Sequence, residues 1–356
     1  MNDYKKELEK ILDKAIENDA TDIHLSSNSK PFYRVNGSLT HLDGDIELTD
    51  ENTKKIAFSI LSEENKEKFL SQRDIDLSFG YKDKARFRVN AYHQMSKISV
   101  SLRLIPQKIR TIEELSLPQI CYQFAKATQG FFLIVGPSGH GKSAALASII
   151  DEINHNRYDH IVTIEDPVEY IFKQDKCLID QREVGQDVQN FHRGLREVFR
   201  QDPDVIMIGE MRDPETISSA VTASETGHLV LATLHTNNAA QTIDRIIDTF
   251  PPHQQTQIRV QLAANILGII SRRLIPSTKG SVINAVEVMK ANAAIRNLIR
   301  EGKIHQIDMV IETSSDQGMI SLNRSLIDLV ERGLISEENA ELNSNNISEL
   351  KMLLKK

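Results

Sequence analysis

Cysteine is scarce in this chain: 356 residues hold only Cys121 and Cys177. They form no CxxC pair, which removes structural zinc and a disulfide framework as organising elements. Two reduced thiols are the plain expectation. Long apolar runs are missing too, since stretches such as 131–135 are far too short to span a bilayer. The opening MNDYKKELEK is charged and has no signal-peptide apolar core. No basic run offsets a net charge of −7, which argues against a nucleic-acid partner. These absences predict a cytoplasmic protein with no membrane-inserted segment, able to dock on a membrane complex. There is no internal repeat and no low-complexity segment.

What is present suits two globular domains. Residues 4–17 have helical periodicity, with Leu8, Ile11, Leu12, Ala15 and Ile16 on one face. Residues 23–26 and 31–36 read as strands, and Asn36-Gly37 is a two-residue hairpin signal. A second helix is predicted over 50–70, capped by Thr49 or Asp50, followed by strands at 75–81, 85–92 and 97–105. Breakers cluster between Pro106 and Pro118, the expected domain linker. Beyond it the apolar runs 131–135, 161–164, 205–208 and 229–234 alternate with helical segments, the pattern of a parallel sheet with helices on its faces. From about residue 292 the chain reads as several helices, and its polar end is expected to fray.

Ligands of open parallel sheets bind at the carboxyl ends of the strands. After 131–135 comes GPSGHGKS, residues 136–143, which matches G-x-x-x-x-G-K-[ST] with a strand before it and a helix after it. The loop of Gly136, Pro137, Ser138, Gly139, His140, Gly141, Lys142, Ser143 and Ala144 can wrap a phosphate with its backbone N–H groups, Pro137 having none. The helix N-terminus adds positive dipole. Lys142 is placed to neutralise β and γ phosphates of ATP, and the Ser143 hydroxyl to hold Mg²⁺. His140 is expected to contribute only its backbone, with its ring facing out. After 161–164 come Glu165, Asp166 and Glu169, and after 205–208 comes Glu210. Acids at these strand ends suit Mg²⁺ or an attacking water, although Asp-Pro is also an ordinary turn starter.

The run 229–234 carries one histidine at each end. Seven residues of extended chain put His228 and His235 roughly 23 Å apart on opposite faces, so they cannot share a metal. His235 falls at the carboxyl edge beside the phosphates, where it can donate to a γ-phosphate or to the acid holding the water. His228 falls at the far edge, where a structural role is the default.

Taken together, these residues resemble the type II/IV secretion ATPases, most closely the PilT-type twitching-motility ATPases that retract type IV pili. GPSGHGKS resembles the Walker A loop and IEDPVEY the Asp box. RQDPDVIMIGEMRD resembles the Walker B segment and TGHLVLATLHTNNA the His box. QREVG, IDRIIDTFPP and AIRNLIRE extend the similarity, and TDIHLSSNSKPFYRVNG resembles the family's PAS-like domain. The resemblance implies an α/β fold: a PAS-like α+β domain over 1–112, a linker at 113–118, a RecA-like core over 119–291 and a helical region over 292–356.

It further implies that Glu169 polarises the attacking water, that Glu210 is the Walker B glutamate, and that His228 and His235 are the His-box pair. Arg88 and Arg103 match the arginines that reach the phosphates from the N-terminal domain, whereas Arg86 reads as a solvated strand residue. The implied assembly is a homohexamer. Its implied partners are an inner-membrane pilus platform protein and a second retraction ATPase. On the AIRNLIRE helix, Ile295, Leu298 and Ile299 should face the core, leaving Arg296, Asn297, Arg300 and Glu301 as a polar coupling face. Assembly ATPases are usually longer and carry a tetracysteine element, which this chain lacks. GKSAA stands where the family has GKST, and GMIS where it has GMQT. Other readings remain open: an accessory PilU-like ATPase, a pseudopilus motor, a non-hydrolysing scaffold, and a DNA translocase that the net charge disfavours.

Overall fold

Alternating apolar and polar residues build one antiparallel sheet in the N-terminal part. Its strands are β1 (Asp22–Ser26), β2 (Phe32–Val35), β3 (Ser38–Thr40), β4 (Asp74–Tyr81), β5 (Ala85–Gln94) and β6 (Lys97–Ile105), in the order β3-β2-β1-β6-β5-β4. Asn36 and Gly37 adopt φ of 49° and 83° and close the β2–β3 hairpin, as two-residue turns require. One face of the sheet buries Ile23, Leu25, Tyr33, Phe87, Val89 and Leu102 against Leu12, Ile56 and Phe69 of the helices.

The computed structural model describes residues 3–82, 84–105 and 108–355, and the chain divides into two units. The first is Met1–Lys108 with Pro167–Ile171, and the second Ile109–Asp166 with Phe172–Lys356. Pro106, where the breaker-rich stretch begins, lies outside the described residues.

The single helix expected over 50–70 is two, Asp50–Ile60 and Glu63–Gln72. Thr49 caps the first by accepting from the Asn52 amide. Leu61 is extended, and Ser62 caps the second by accepting from the Asn65 amide. A serine followed by two glutamates is itself a helix start. Continuous polar periodicity concealed it.

The second unit is built on a seven-stranded sheet. Its strands are β7 (Gly130–Val135), β8 (His160–Glu165), β9 (Leu178–Glu183), β10 (Val205–Ile208), β11 (Leu229–Leu234), β12 (Ile266–Pro276) and β13 (Val282–Lys290). The order is β13-β12-β7-β11-β10-β8-β9, parallel throughout except for β13 at one edge. β7 and β11 are buried at every residue, which explains their unbroken apolar runs. Connecting helices start on local caps. Asp213 accepts from the Thr216 amide with Pro214 in the first turn, and Asn238 accepts from the Gln241 amide.

The C-terminal region is helical as expected, and near its end, where fraying is expected, it holds one more helix. Helix Ile347–Leu354 forms and buries Leu350 beside Leu322 and Leu326. The AIRNLIRE helix, Ala293–Glu301, buries Ile295 and Ile299 with Leu298 partly covered. Arg296 departs from the expected polar face. It is half-buried and donates to the carbonyls of Ala263 (2.6 Å) and Ala264 (2.5 Å), closing the end of helix Pro252–Asn265. Asn297, Arg300 and Glu301 remain exposed.

Candidate active site

β7 lies in the middle of the sheet, and the phosphate loop leaves its carboxyl end. Gly136, Gly139 and Gly141 take φ of 144°, 78° and 75°, which side chains rarely allow. Helix Lys142–Asn156 follows directly, so its N-terminal amides open onto the loop. Lys142 is 7 % exposed, and its ammonium donates to the carbonyls of Gly136 (2.9 Å) and Pro137 (3.0 Å).

The third partner of that ammonium is His235, at 3.1 Å from Nδ1. An ammonium only donates, so Nδ1 must accept, and the neutral ring carries its proton on Nε2. Nε2 lies 3.2 Å from Glu210 Oε1 and can donate to it. Ser138 Oγ is 3.2 Å from Nδ1 as well. The chain Lys142–His235–Glu210 thus joins the ends of β7, β11 and β10.

Glu210 extends through its other oxygen to Arg212 Nη2 at 2.7 Å. Burial works to raise the Glu210 pKa, but Arg212 and His235 outweigh it and hold the carboxyl below its usual value. Gly209 supports Glu210 from both sides: its amide donates to Ile164 at 2.8 Å and its carbonyl accepts from Thr233 Oγ1.

Glu165, ending β8, is buried, and its Oε1 accepts from Thr163 (2.6 Å) and Gln181 (3.2 Å). Asp166 is exposed at the same strand end, and its charge favours the protonated Arg212 after that of Glu210. Among the described residues, no three histidine, cysteine or acidic side chains converge as a metal cage. Ser143 on the loop helix and the carboxylates ending β8 and β10 are oxygen donors, the kind a hard cation takes.

Other predicted residues are placed elsewhere. His228 sits at the opposite end of β11. Its Nδ1 donates to Ala223 O (2.9 Å) at the end of helix Pro214–Glu225, and its ring stands edge-on to Phe199. Glu169, Arg88 and Arg103 belong to the other unit. Arg88 and Arg103 face each other across β5 and β6, and Arg103 Nε donates to Asp22 at 2.9 Å. Arg86 is not merely solvated, for it donates to Ser78 on β4. His140 does not face outward: its Nδ1 accepts the Leu274 amide of β12 at 2.9 Å. Burial, with Arg273, Lys142 and Arg272 nearby, holds its pKa below the ordinary histidine value. Sequence reading overlooked Arg212, whose position two residues after Glu210 was its only signal.

The His235 loop is itself anchored. Ser271 Oγ donates to Asn237 O at 2.7 Å, Thr236 and Thr242 hydroxyls meet at 2.7 Å, and the Ala239 amide donates to Glu287 Oε1 at 2.7 Å. Burial pushes the Glu287 carboxyl up to about 7, against the Ala239 amide and with help from Asp308. A folded pKa above the unfolded 4.5 favours the fold below that value and loses the advantage as pH rises through 7. At 1.36 kcal/mol per unit this amounts to roughly 3 kcal/mol. Glu287→Gln keeps the acceptor for Ala239 and should gain most of that stability at pH 8 but little near pH 5, read by urea unfolding. A gain independent of pH would refute the assignment.

A glycine loop after a central parallel strand, its lysine, and an acid ending a nearby strand define a P-loop nucleotide-binding core. The match to type II/IV secretion system protein covers residues 2–349, and the chain belongs to that family. It is 41 % identical over 321 residues to the type IV pilus retraction ATPase PilT of Pseudomonas aeruginosa, covering 90 % of this chain and 93 % of that one. It is 36 % identical over 350 residues to the type IV pilus ATPase PilU of the same organism, covering 98 % and 91 %. The crystal structure of the pilus retraction motor PilT with bound ADP superposes with a TM-score of 0.91 at 41 % identity, covering 96 % and 98 %. The expected α/β fold, an N-terminal α+β domain with a RecA-like core and C-terminal helices, is borne out, the N-terminal sheet being antiparallel.

Proposed function

We propose that this chain is an ATP-hydrolysing motor that powers type IV pilus retraction, working as a homohexamer docked at the cytoplasmic face of the cell membrane. The observation that carries the reading is the Lys142–His235–Glu210 chain across three strand ends, in a protein 41 % identical to a pilus retraction ATPase. No helix among the described residues is long and apolar enough to cross a membrane, which fits docking rather than insertion.

In this reading the backbone N–H groups of residues 136–144 other than Pro137 and the Lys142 ammonium take the β and γ phosphates of ATP. Ser143 and Glu210 fit the few protein ligands that Mg²⁺ accepts, and Glu165 and Asp166 add negative charge along the same strand edge. Bound there, Mg²⁺ would neutralise phosphate charge. Glu169 polarises the attacking water, Arg88 and Arg103 stabilise the transition-state charge, and His235 senses the γ-phosphate for Glu210. His228 acts across a subunit boundary. Nucleotide that binds one domain arrangement better than another can do work, and differential affinity is its only source. The work is delivered to a platform protein of the pilus machine.

Phosphate release by purified protein tests the enzyme reading. Turnover should be clear in the wild type and absent in Lys142→Ala, whereas equal rates would leave only a nucleotide-binding scaffold. Similarity to PilU over 98 % of this chain supports a second reading, an accessory retraction ATPase working beside another. Deleting the gene in its source organism separates the two. More surface pili with lost movement indicates the main retraction motor, and retained movement the accessory one. Loss of pili would mean an assembly motor. Salt-dependent DNA binding would revive a translocase.

A further inference from the structure

We infer that Arg272 is a positioning residue that sets nucleotide affinity by holding the phosphate loop from β12; the inference rests on the ATP-binding reading above. β12 runs parallel to β7, with Ser271 opposite Val135. β7 ends there and becomes the loop, so Arg272 lies beside Gly136. A Cβ at Gly136 would meet the Arg272 carbonyl oxygen at 2.3 Å, so only glycine allows this approach.

The side chain then reaches the other end of the loop. Arg272 is 3 % exposed, and its Nη1 donates to Gly141 O at 2.5 Å. Gly141 is the residue that begins the phosphate-binding helix, and its carbonyl also accepts the Ala145 amide at 3.1 Å. Arg272 Nε donates to Asn284 Oδ1 on β13 at 2.9 Å, and Asn284 Nδ2 donates to Ser116 O at 3.1 Å, which fixes the amide's orientation. Two residues on, the Leu274 amide has run past the end of β7 and takes His140 Nδ1 instead. One strand therefore holds the loop at its start, at His140 and at its end.

The loop needs such a splint. Gly139 and Gly141 leave its backbone with many alternatives, and an unheld loop must be ordered each time phosphate binds. A charge-assisted hydrogen bond from a buried guanidinium removes that cost in advance. The guanidinium donates to the loop's backbone and to Asn284, so its contribution falls on binding rather than on the chemical step.

Arg272→Met keeps length and burial but cannot donate. It should weaken binding of a fluorescent ADP analogue about tenfold and raise the KM for ATP in parallel, with kcat at saturation falling no more than about twofold. Arg272→Lys keeps the charge but not the fork, and should recover part of the affinity. Asn284→Ala leaves the arginine and loosens its anchor, so it should shift affinity the same way by less; it decides the matter where Arg272→Met unfolds. Unchanged ADP affinity in a folded Arg272→Met, or in Asn284→Ala should the former not fold, overturns the inference. So does a loss confined to kcat. Wild type that binds ADP but releases no phosphate would defeat the ATPase reading while leaving the ADP titrations to judge Arg272.

Discussion

Arg103→Ala should lower ATP turnover by about three orders of magnitude, the scale of an arginine acting on a transferring phosphoryl group, while ADP affinity changes little. The geometry of the sheet explains why this residue is singled out. Arg34, Asp22, Arg103 and Arg88 occupy facing positions on β2, β1, β6 and β5, so their side chains share one face. Two arginines directly opposite one another repel, and such pairs weaken a sheet. Asp22 relieves part of that repulsion: it is buried, 2.9 Å from Arg103 and 3.9 Å from Arg34. Burial raises its pKa, but the hydrogen bonds from Arg103 and Thr21 outweigh this and keep it ionised. One acid between three arginines leaves an excess of positive charge, which suits an anion. Asp22→Asn is the control for local damage, since it releases Arg103 without removing it. Mixed rings are the sharper test. Arg103→Ala and Glu210→Ala subunits, each inactive alone, should regain part of the activity when combined, because some interfaces would hold both intact residues. Rings that assemble yet stay inactive would count against arginines acting across subunits.

Glu210→Gln should cost roughly 10²- to 10³-fold in kcat with nucleotide still bound. Glutamine keeps the size and can still accept from His235 Nε2, so the Lys142–His235 contact should survive. What disappears is the negative charge that the site maintains against burial. Arg212 loses its partner, but it is largely exposed, so folding should suffer little. Full activity in Glu210→Gln would remove this residue from the mechanism. Loss of ADP binding together with activity would make it a nucleotide-holding group instead.

Much of the site was legible because its chemistry is local. GPSGHGKS must sit between a strand and a helix to bind phosphate, and four apolar runs of strand length announced a parallel sheet whose ends carry Lys142, Glu210 and His235. Three strands were not legible. β9 is a polar edge strand, LIDQRE. β12 follows a helix without a break and carries two arginines, and β13 alternates poorly, so none has the pattern of a covered strand. Missing β12 meant missing Arg272. It also meant expecting the His140 ring to point outward, because its acceptor role depends on a Leu274 amide 134 residues away. Arg296 leaves the expected polar coupling face for a similar reason: periodicity says which side of a helix is apolar, not which neighbouring helix end lies within a guanidinium's reach.

The sequence alone determined the elements whose reason is short-range: the hairpin at Asn36-Gly37, the glycines that let the phosphate loop turn, and the acids and histidines that end buried strands. Only the tertiary structure decided which of those ends meet. That His235 accepts from Lys142 and faces Glu210 depends on strand order, and strand order is settled by packing across the whole sheet. The splinting of the loop by Arg272 likewise depends on β12 lying beside β7. A strand's own residues specify its faces through a period of two, but its neighbours are chosen by burial summed over many residues, and no short stretch records that sum.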